Sequence, residues 1–298
     1  MPSSTPAWLE LLQTTPWLLY TSAVLLGLIL GSFLNVVILR LPRMMEAGWR
    51  RDCAELLSPD GTAPETDEPP LSLSKPASTC PSCGHRIRVH ENIPILSYVW
   101  LRGRCSKCKT RISLRYPLVE AFTALLTLIV VIQFGPTWQA AAALLLTWSL
   151  IALAVIDLDT QLLPDSLTLP VLWLGLFLSL FGLFTDSQSA IIGAIAGYLS
   201  LWTVFQLFRL ATGKEGMGYG DFKLLALLGA WLGWPALPQI ILLSALVGAL
   251  VGVGLILSGR HESGKPLPFG PYLAAAGWIS LIWGEAINGA YLRLSGLA

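Results

Sequence analysis

Residues 215–235 read EGMGYGDFKLLALLGAWLGWP: three glycines and an aspartate, then an apolar run interrupted only by Lys223. Asp221 stands where the chain is about to leave water. The ordinary reading is a loop whose aspartate N-caps the next helix. The sharper reading is that an acid at a membrane edge does chemistry, because a charge there is costly. That reading needs a second acid at the same depth and on the same side, so sidedness comes first.

The 298 residues are 54% hydrophobic and 12% charged, with a mean hydropathy of +0.65. A soluble domain carries about 25% charged residues, so the composition predicts a chain solvated largely by lipid. The balance of 19 Lys+Arg against 18 Asp+Glu offers no footprint for nucleic acid. The N-terminal MPSSTPAWLEL lacks a basic flank and the first apolar run is too long for a signal peptide, so none is expected.

A spanning helix needs about 20 mostly apolar residues. Eight candidates satisfy or approach this: residues 17–39, 117–134, 138–156, 167–184, 189–208, 222–235, 238–257 and 270–288. The sixth is the weakest, being short and running into Trp234-Pro235. The expected fold is an all-α polytopic membrane protein of about eight helices with a small cytoplasmic, zinc-binding insert. Of the 19 Lys+Arg, 13 lie from Arg40 to Arg115, in the polar insert after the first span. With that insert inside, alternation puts Arg209, Lys214, Lys223, Arg260 and Lys265 inside as well and only Arg293 outside. The short outward turns at 135–138, 185–188 and 234–238 hold no Lys or Arg, which agrees independently. The N-terminus is then outside.

The same alternation brings two acidic loops to the cytoplasmic face, IDLDTQLLPD (156–165) and GMGYGD (216–221). Asp157 follows the apolar LIALAVI with no polar spacer. Two carboxylates brought within a few ångströms share a proton, one acting as base on water while the other protonates or polarises a carbonyl. Such a pair hydrolyses a peptide without a covalent intermediate. Gly218 and Gly220 then provide close approach for an extended substrate backbone. Asp159 could replace Asp157 as the partner, and spacing does not choose between them. Asp165, after Pro164, caps or leads into the fourth span.

Between the first two spans lies the one sizeable polar region, about 41–116. Its SPDGTAPETDEPPLSLSKPAS stretch has the composition of a flexible linker. CPSCGH (80–85) and CSKC (105–108) follow, separated by 21 residues. Cys80, Cys83, Cys105 and Cys108 supply the four thiolates of a closed, structural zinc site, and a reducing cytoplasm disfavours disulfides. His85 is read as a surface or supporting residue, His90 has no partner at ligand spacing, and Cys53 is unpaired.

With these motifs assembled, the chain resembles the bacterial type IV prepilin peptidases, bifunctional leader peptidases and N-methyltransferases. The resemblance rests on GSFLNVVILRLP (31–42), the two CxxC pairs with ENIPILSY (91–98) between them, RYPLVE (115–120), IDLDTQLLPD, GMGYGDFK and PFGPYL (268–273). It implies cleavage of the basic leader of prepilins and pseudopilins at the cytoplasmic face of the inner membrane. It further implies methylation of the new amino group with S-adenosylmethionine, the products building type IV pili or type II secretion pseudopili. The family's catalytic pair maps onto Asp157 and Asp221. Members that only cleave lack the cysteine insert, so its presence implies both activities. Gly103 matches a glycine associated with methyl transfer, although a turn glycine in LRGRC reads equally well. No G-x-G-x-x-G follows a strand. Glu91 and Glu120 are explained by pairing with nearby arginines. PFGPYL has prolines that fix the start of the last span and matches a substrate-holding proline loop of membrane aspartyl proteases. The implied division is 1–40 for the tail and first span, 41–116 for the methyltransferase-associated insert, and 117–298 for a seven-helix peptidase domain.

The rival class is a transporter or channel with aspartates as proton or cation sites. It is disfavoured by the lack of an internal repeat and by acid loops at one face. A structural assembly protein would leave GMGYGD and the cysteines without a use.

Overall fold

The computed structural model describes residues 7–57, 71–258 and 267–294. Among these residues ten α-helices follow in order: α1 Ala7–Thr14, α2 Pro16–Leu57, α3 Leu96–Trp100, α4 Arg115–Phe134, α5 Trp138–Thr160, α6 Asp165–Ser179, α7 Ser187–Thr212, α8 Tyr219–Leu232, α9 Leu237–Leu257 and α10 Gly270–Leu294. Among the described residues there is no strand, only two isolated β-bridges. The chain is all-α and polytopic. Compactness divides it into two units, residues 1–136 and 137–298.

A helix lies at each of the eight expected positions. By length and composition five of the described helices can cross a membrane: α2, α4, α5, α7 and the α9 segment from Trp234. At 1.5 Å per residue the 15 residues of α6 and the 14 of α8 reach only about 22 Å, short of a hydrocarbon core of about 30 Å. The reason for α8 is visible in its burial. Phe222, Leu224, Leu225, Leu227, Leu228 and Trp231 are all within 1% of complete burial. A helix apolar all round and wrapped by protein has no lipid thickness to match. It ends at Gly233, whose φ of +78° turns the chain through a short 3-10 segment into α9.

The first helix exceeds its expected span. α2 carries on to Leu57 through Pro42, 42 residues in all, so the start of the polar insert is helical and not loop. Good helix formers in RMMEAGWRRDCAELL carry the rod past the apolar window. Arg40 then ties the returning chain to it, donating to the carbonyls of Ser72 at 2.9 Å and Pro76 at 2.7 Å. The linker reading falls largely on residues 58–70, which lie outside the described residues.

Close helix contacts rest on paired glycines four residues apart, the pattern that lets backbones approach in lipid. In the first unit Gly27 and Gly31 of α2 lie against Ala124 and Glu120 of α4. In the second, Gly193 and Gly197 of α7 lie against Gly229 and Leu225 of α8. A side chain at Gly229 would run into the Gly193 carbonyl. We expect Gly229→Val to lower stability by about 1–3 kcal/mol through overpacking, read as an earlier thermal unfolding transition in detergent. Gly175 of α6 makes room for the Trp231 indole, which donates to the Val171 carbonyl at 2.8 Å.

Candidate active site

Within the second unit, three helix ends meet. Asp157 lies three residues before the end of α5, Asp221 in the first turn of α8, and Gly270 opens α10. Asp157 is 5% exposed and Asp221 7%, whereas Asp159 is exposed. The α5 register that turns Asp157 inward turns Asp159 out, which separates the two acids that sequence spacing left equivalent.

Asp157 is held by the start of the last helix. The Gly270 amide donates to Asp157 Oδ2 at 3.0 Å, as a free first-turn N–H does for an anion. This partner was missed in the sequence, where PFGPYL was read through its prolines; the signal was the glycine between them. A Cβ on Gly270 would stand 2.6 Å from Asp157 Oδ2. Gly270→Ala is therefore expected to displace that carboxylate and cut leader removal at least tenfold, in a steady-state cleavage assay, with the helices intact by circular dichroism.

Asp221 is not an N-cap. Gly218 holds that position with extended backbone (φ −81°, ψ 149°), and Asp221 follows three residues on. Its Oδ1 is buried and has no partner among the described residues, leaving an acceptor ready for a water or a substrate group. Asp157 lies within electrostatic range of Asp221. Leu163 sits between the two acid-bearing ends: its Cδ1 would lie 3.1 Å from a Cβ on Gly220 and 3.3 Å from one on Gly270. The space beside Gly220 is thus taken by Leu163, while a Cβ on Gly218 would meet nothing closer than 3.8 Å. Neither glycine has positive φ, so close approach and not left-handed backbone is what they provide. Asp165 opens α6 and pairs with Lys223 of α8 at 2.7 Å through both oxygens, tying together the two helices that follow the acid loops.

In the first unit the four expected cysteines converge. The Sγ atoms of Cys80, Cys83, Cys105 and Cys108 lie within 4.8 Å of one another, with Cys80 and Cys108 at 3.7 Å. Metal–sulfur bonds of about 2.3 Å in a tetrahedron require sulfur separations near this, so the donor set fits a zinc ion. Two matching knuckles build it. Cys80 N–H donates to His85 O and Cys105 N–H to Thr110 O, both at 2.9 Å, and each turn closes by an amide returning to the first cysteine, from Gly84 and Lys109. The Thr110 hydroxyl and amide hold the Cys108 thiol down at about 6. At Cys83 the His85 amide pulls downward, but burial and the other three cysteines together push the thiol up to about 11.

His85 and His90 are not in this cluster, and Cys53 is exposed on α2. The His85 Nε2 lies 3.2 Å from Glu91 Oε2. The Arg88 amide, the Ser106 hydroxyl and this imidazole hold Glu91 down at about 2. Its partners are thus a backbone amide, a hydroxyl and a histidine, not the arginine side chains expected. Among the described residues Glu120 likewise pairs with no arginine; its Oε2 accepts the Ile95 amide at 2.8 Å. Gly103 is a turn glycine at φ +65°, packed on the Tyr98 ring. Tyr98 in turn lies 3.3 Å from the Ile112 carbonyl that its hydroxyl donates to.

A buried pair of acids where helix ends meet in the second unit, in a chain whose first unit carries a four-cysteine module, defines the class: a polytopic membrane protein with an enclosed carboxylate site. Comparison with known families gives the rest. Residues 25–134 match the Bacterial Peptidase A24 N-terminal domain and residues 144–253 the Type IV leader peptidase family. The chain is 57% identical to the prepilin leader peptidase/N-methyltransferase of Aeromonas hydrophila, over 95% of this chain and 97% of that one. It is 57% identical to the protein of the same name from Pseudomonas aeruginosa, over 97% and 98%. The Burkholderia pseudomallei (strain 1026b) protein of that name is 50% identical, over 92% and 87%. No solved structure matches the chain. The chain belongs to the Type IV leader peptidase family.

Proposed function

We propose that this enzyme removes the leader of type IV prepilins and pseudopilins with the Asp157–Asp221 pair and then methylates the new N-terminus. The observation that carries the first step is the enclosed acid pair with an unpartnered Asp221 oxygen. The Gly270 amide orients Asp157 through its Oδ2, and ionised Asp221 accepts through Oδ1 a proton from the attacking water. The protonated Asp157 carboxyl polarises the scissile carbonyl, and Asp221 passes the proton taken from water to the leaving amine. The extended substrate backbone passes beside Gly218, where space remains.

The names of the relatives support the second step, and S-adenosylmethionine is its methyl donor. Gly103 serves it by seating Tyr98 and not by touching the donor, since the ring fills the space over its α-carbon. Zinc, held by the four cysteines, closes its own shell and acts structurally. The insert and both acid loops face the cytoplasm, in line with the Lys+Arg asymmetry, and the protein resides in the bacterial inner membrane with its N-terminus outside. Pilus and type II secretion assemblies receive its products.

The transporter reading wants acids at the bilayer midplane, whereas Asp157 is three residues from a helix end. Purified protein in detergent, with no ion gradient, should shorten a prepilin by its leader and transfer label from methyl-labelled S-adenosylmethionine. Absence of both products from active-folded protein would reject the reading.

A further inference from the structure

The first unit holds a buried acid that peptide hydrolysis does not use. Glu120 is 8% exposed and lies five residues into α4, roughly 8 Å from the start of that helix. Its Oε2 accepts the Ile95 amide at 2.8 Å, and Ser32 of α2 also bonds to the carboxylate. Gly31 presses on its Cα. One turn on, buried Asn35 donates to the Tyr116 carbonyl at 3.1 Å. Ile95 itself is held at φ +58°, an uncommon region for a β-branched residue and a sign of strain retained for a purpose. Among the described residues no charged group acts on Glu120; only an amide and a hydroxyl face it.

A carboxylate is a costly way to anchor one loop amide, because a neutral amide side chain accepts the same bond without burying a charge. A missing counter-charge means that a cation would complete the cluster. From Ile95 the chain runs through α3 to Tyr98, which packs on Gly103 and bonds Ile112 in the second cysteine knuckle. Glu120 is therefore wired by short contacts to the module associated with methyl transfer. Cleavage of a peptide bond produces an α-amine that is largely ammonium at neutral pH, and an ammonium nitrogen has no lone pair with which to attack a methyl group.

We infer that Glu120 is the group that binds this new N-terminal ammonium and takes its proton for methylation, an inference that rests on the N-methyltransferase reading above. The N–H proton passes to the Glu120 carboxylate, and the freed lone pair forms an N–C bond to the methyl carbon. The S–C bond of the sulfonium breaks, sulfur leaves as a neutral thioether, and Glu120 later returns its proton to water. Counted with the Glu120 carboxylate, the net charge is one positive unit before and after: the sulfonium's charge ends on the N-methylammonium, and the amine's proton neutralises Glu120.

The test uses full-length protein in detergent and a pre-cleaved pilin peptide with labelled S-adenosylmethionine, with zinc content and prepilin cleavage read in parallel. Glu120→Gln keeps an acceptor for the Ile95 amide but removes the charge and the base. Methylation at pH 7 should fall about 100-fold and regain about six- to tenfold by pH 9, above the ordinary α-amino pKa of about 7.7–8.0. The wild type should bind the peptide more tightly than its N-acetylated form, and the variant should bind both alike. Undiminished methylation, or a loss equal at both pH values with amine preference kept, would overturn the inference and leave Glu120 a loop anchor. If Glu120→Gln loses zinc and cleavage together, Glu120→Asp decides: zinc retained with methylation down tenfold or more supports the role, and full methylation refutes it. Wild type that cleaves but never methylates would instead defeat the underlying reading.

Discussion

Asp221→Asn is expected to lower leader removal by about a thousandfold or more, within the range for loss of a positioned acid–base group. The amide fits the same space in the first turn of α8, so Phe222, Leu225 and Trp231 keep their packing. What is lost is the carboxylate's capacity to take a proton at Oδ1, which is buried and without a partner among the described residues. Asp157→Asn should act as severely. Its Oδ1 or Nδ2 must take the place of the oxygen that now accepts the Gly270 amide, and neither outcome leaves a carboxylate able to share a proton. Asp159→Asn should stay within a few-fold of wild type, because α5 turns that residue outward. Rates of prepilin processing in the three variants, with folding checked by thermal unfolding, measure this.

The second large effect concerns the cysteines. Cys80→Ser or Cys105→Ser should release the metal and leave the insert open to proteolysis, since the four sulfurs gather both knuckles at one point. A metal requires thiolates. Near pH 7 Cys108, held at about 6, already is one, while Cys83, pushed up to about 11, still carries its proton. Zinc capture must therefore expel protons, and apparent affinity should climb as pH rises from 6 to 8. Below about pH 6 Cys108 also protonates and affinity should drop further. Competition with a chromogenic chelator across that interval, with proton release read in weak buffer, checks the sign; a flat profile would contradict it. Methyl transfer should fail in these variants while cleavage persists.

Much of this architecture was legible in the sequence because lipid imposes a simple rule on composition. Every expected apolar run became a helix, and the CxxC spacing alone located four convergent thiols. What stayed hidden depends on contacts between distant segments. By hydropathy the first span ended at residue 39 and 41 onward belonged to the polar insert, although helix propensity carries α2 on to Leu57. Hydropathy gave no sign that α8 would be the enclosed centre of its unit, because a buried and a lipid-facing helix are equally apolar. Spacing left Asp157 and Asp159 equivalent and the family resemblance alone chose Asp157; the helical register supplies the physical reason, turning Asp159 outward. Gly220 was read as clearance for substrate, yet Leu163 occupies that space. Gly270, 113 residues from the carboxylate it serves, is invisible to any local pattern.

The central claim is that the buried acids are a hydrolytic centre separate from the methyl-transfer site. Its most direct test is mass spectrometry of a purified prepilin and a pre-cleaved pilin, each incubated in detergent with methyl-labelled S-adenosylmethionine. Wild type is compared with Asp157→Asn, Asp159→Asn and Asp221→Asn. The account predicts that Asp157→Asn and Asp221→Asn leave the prepilin uncut yet still methylate the pre-cleaved pilin, while Asp159→Asn does both. Leader removal at the wild-type rate by either of the first two variants would contradict it.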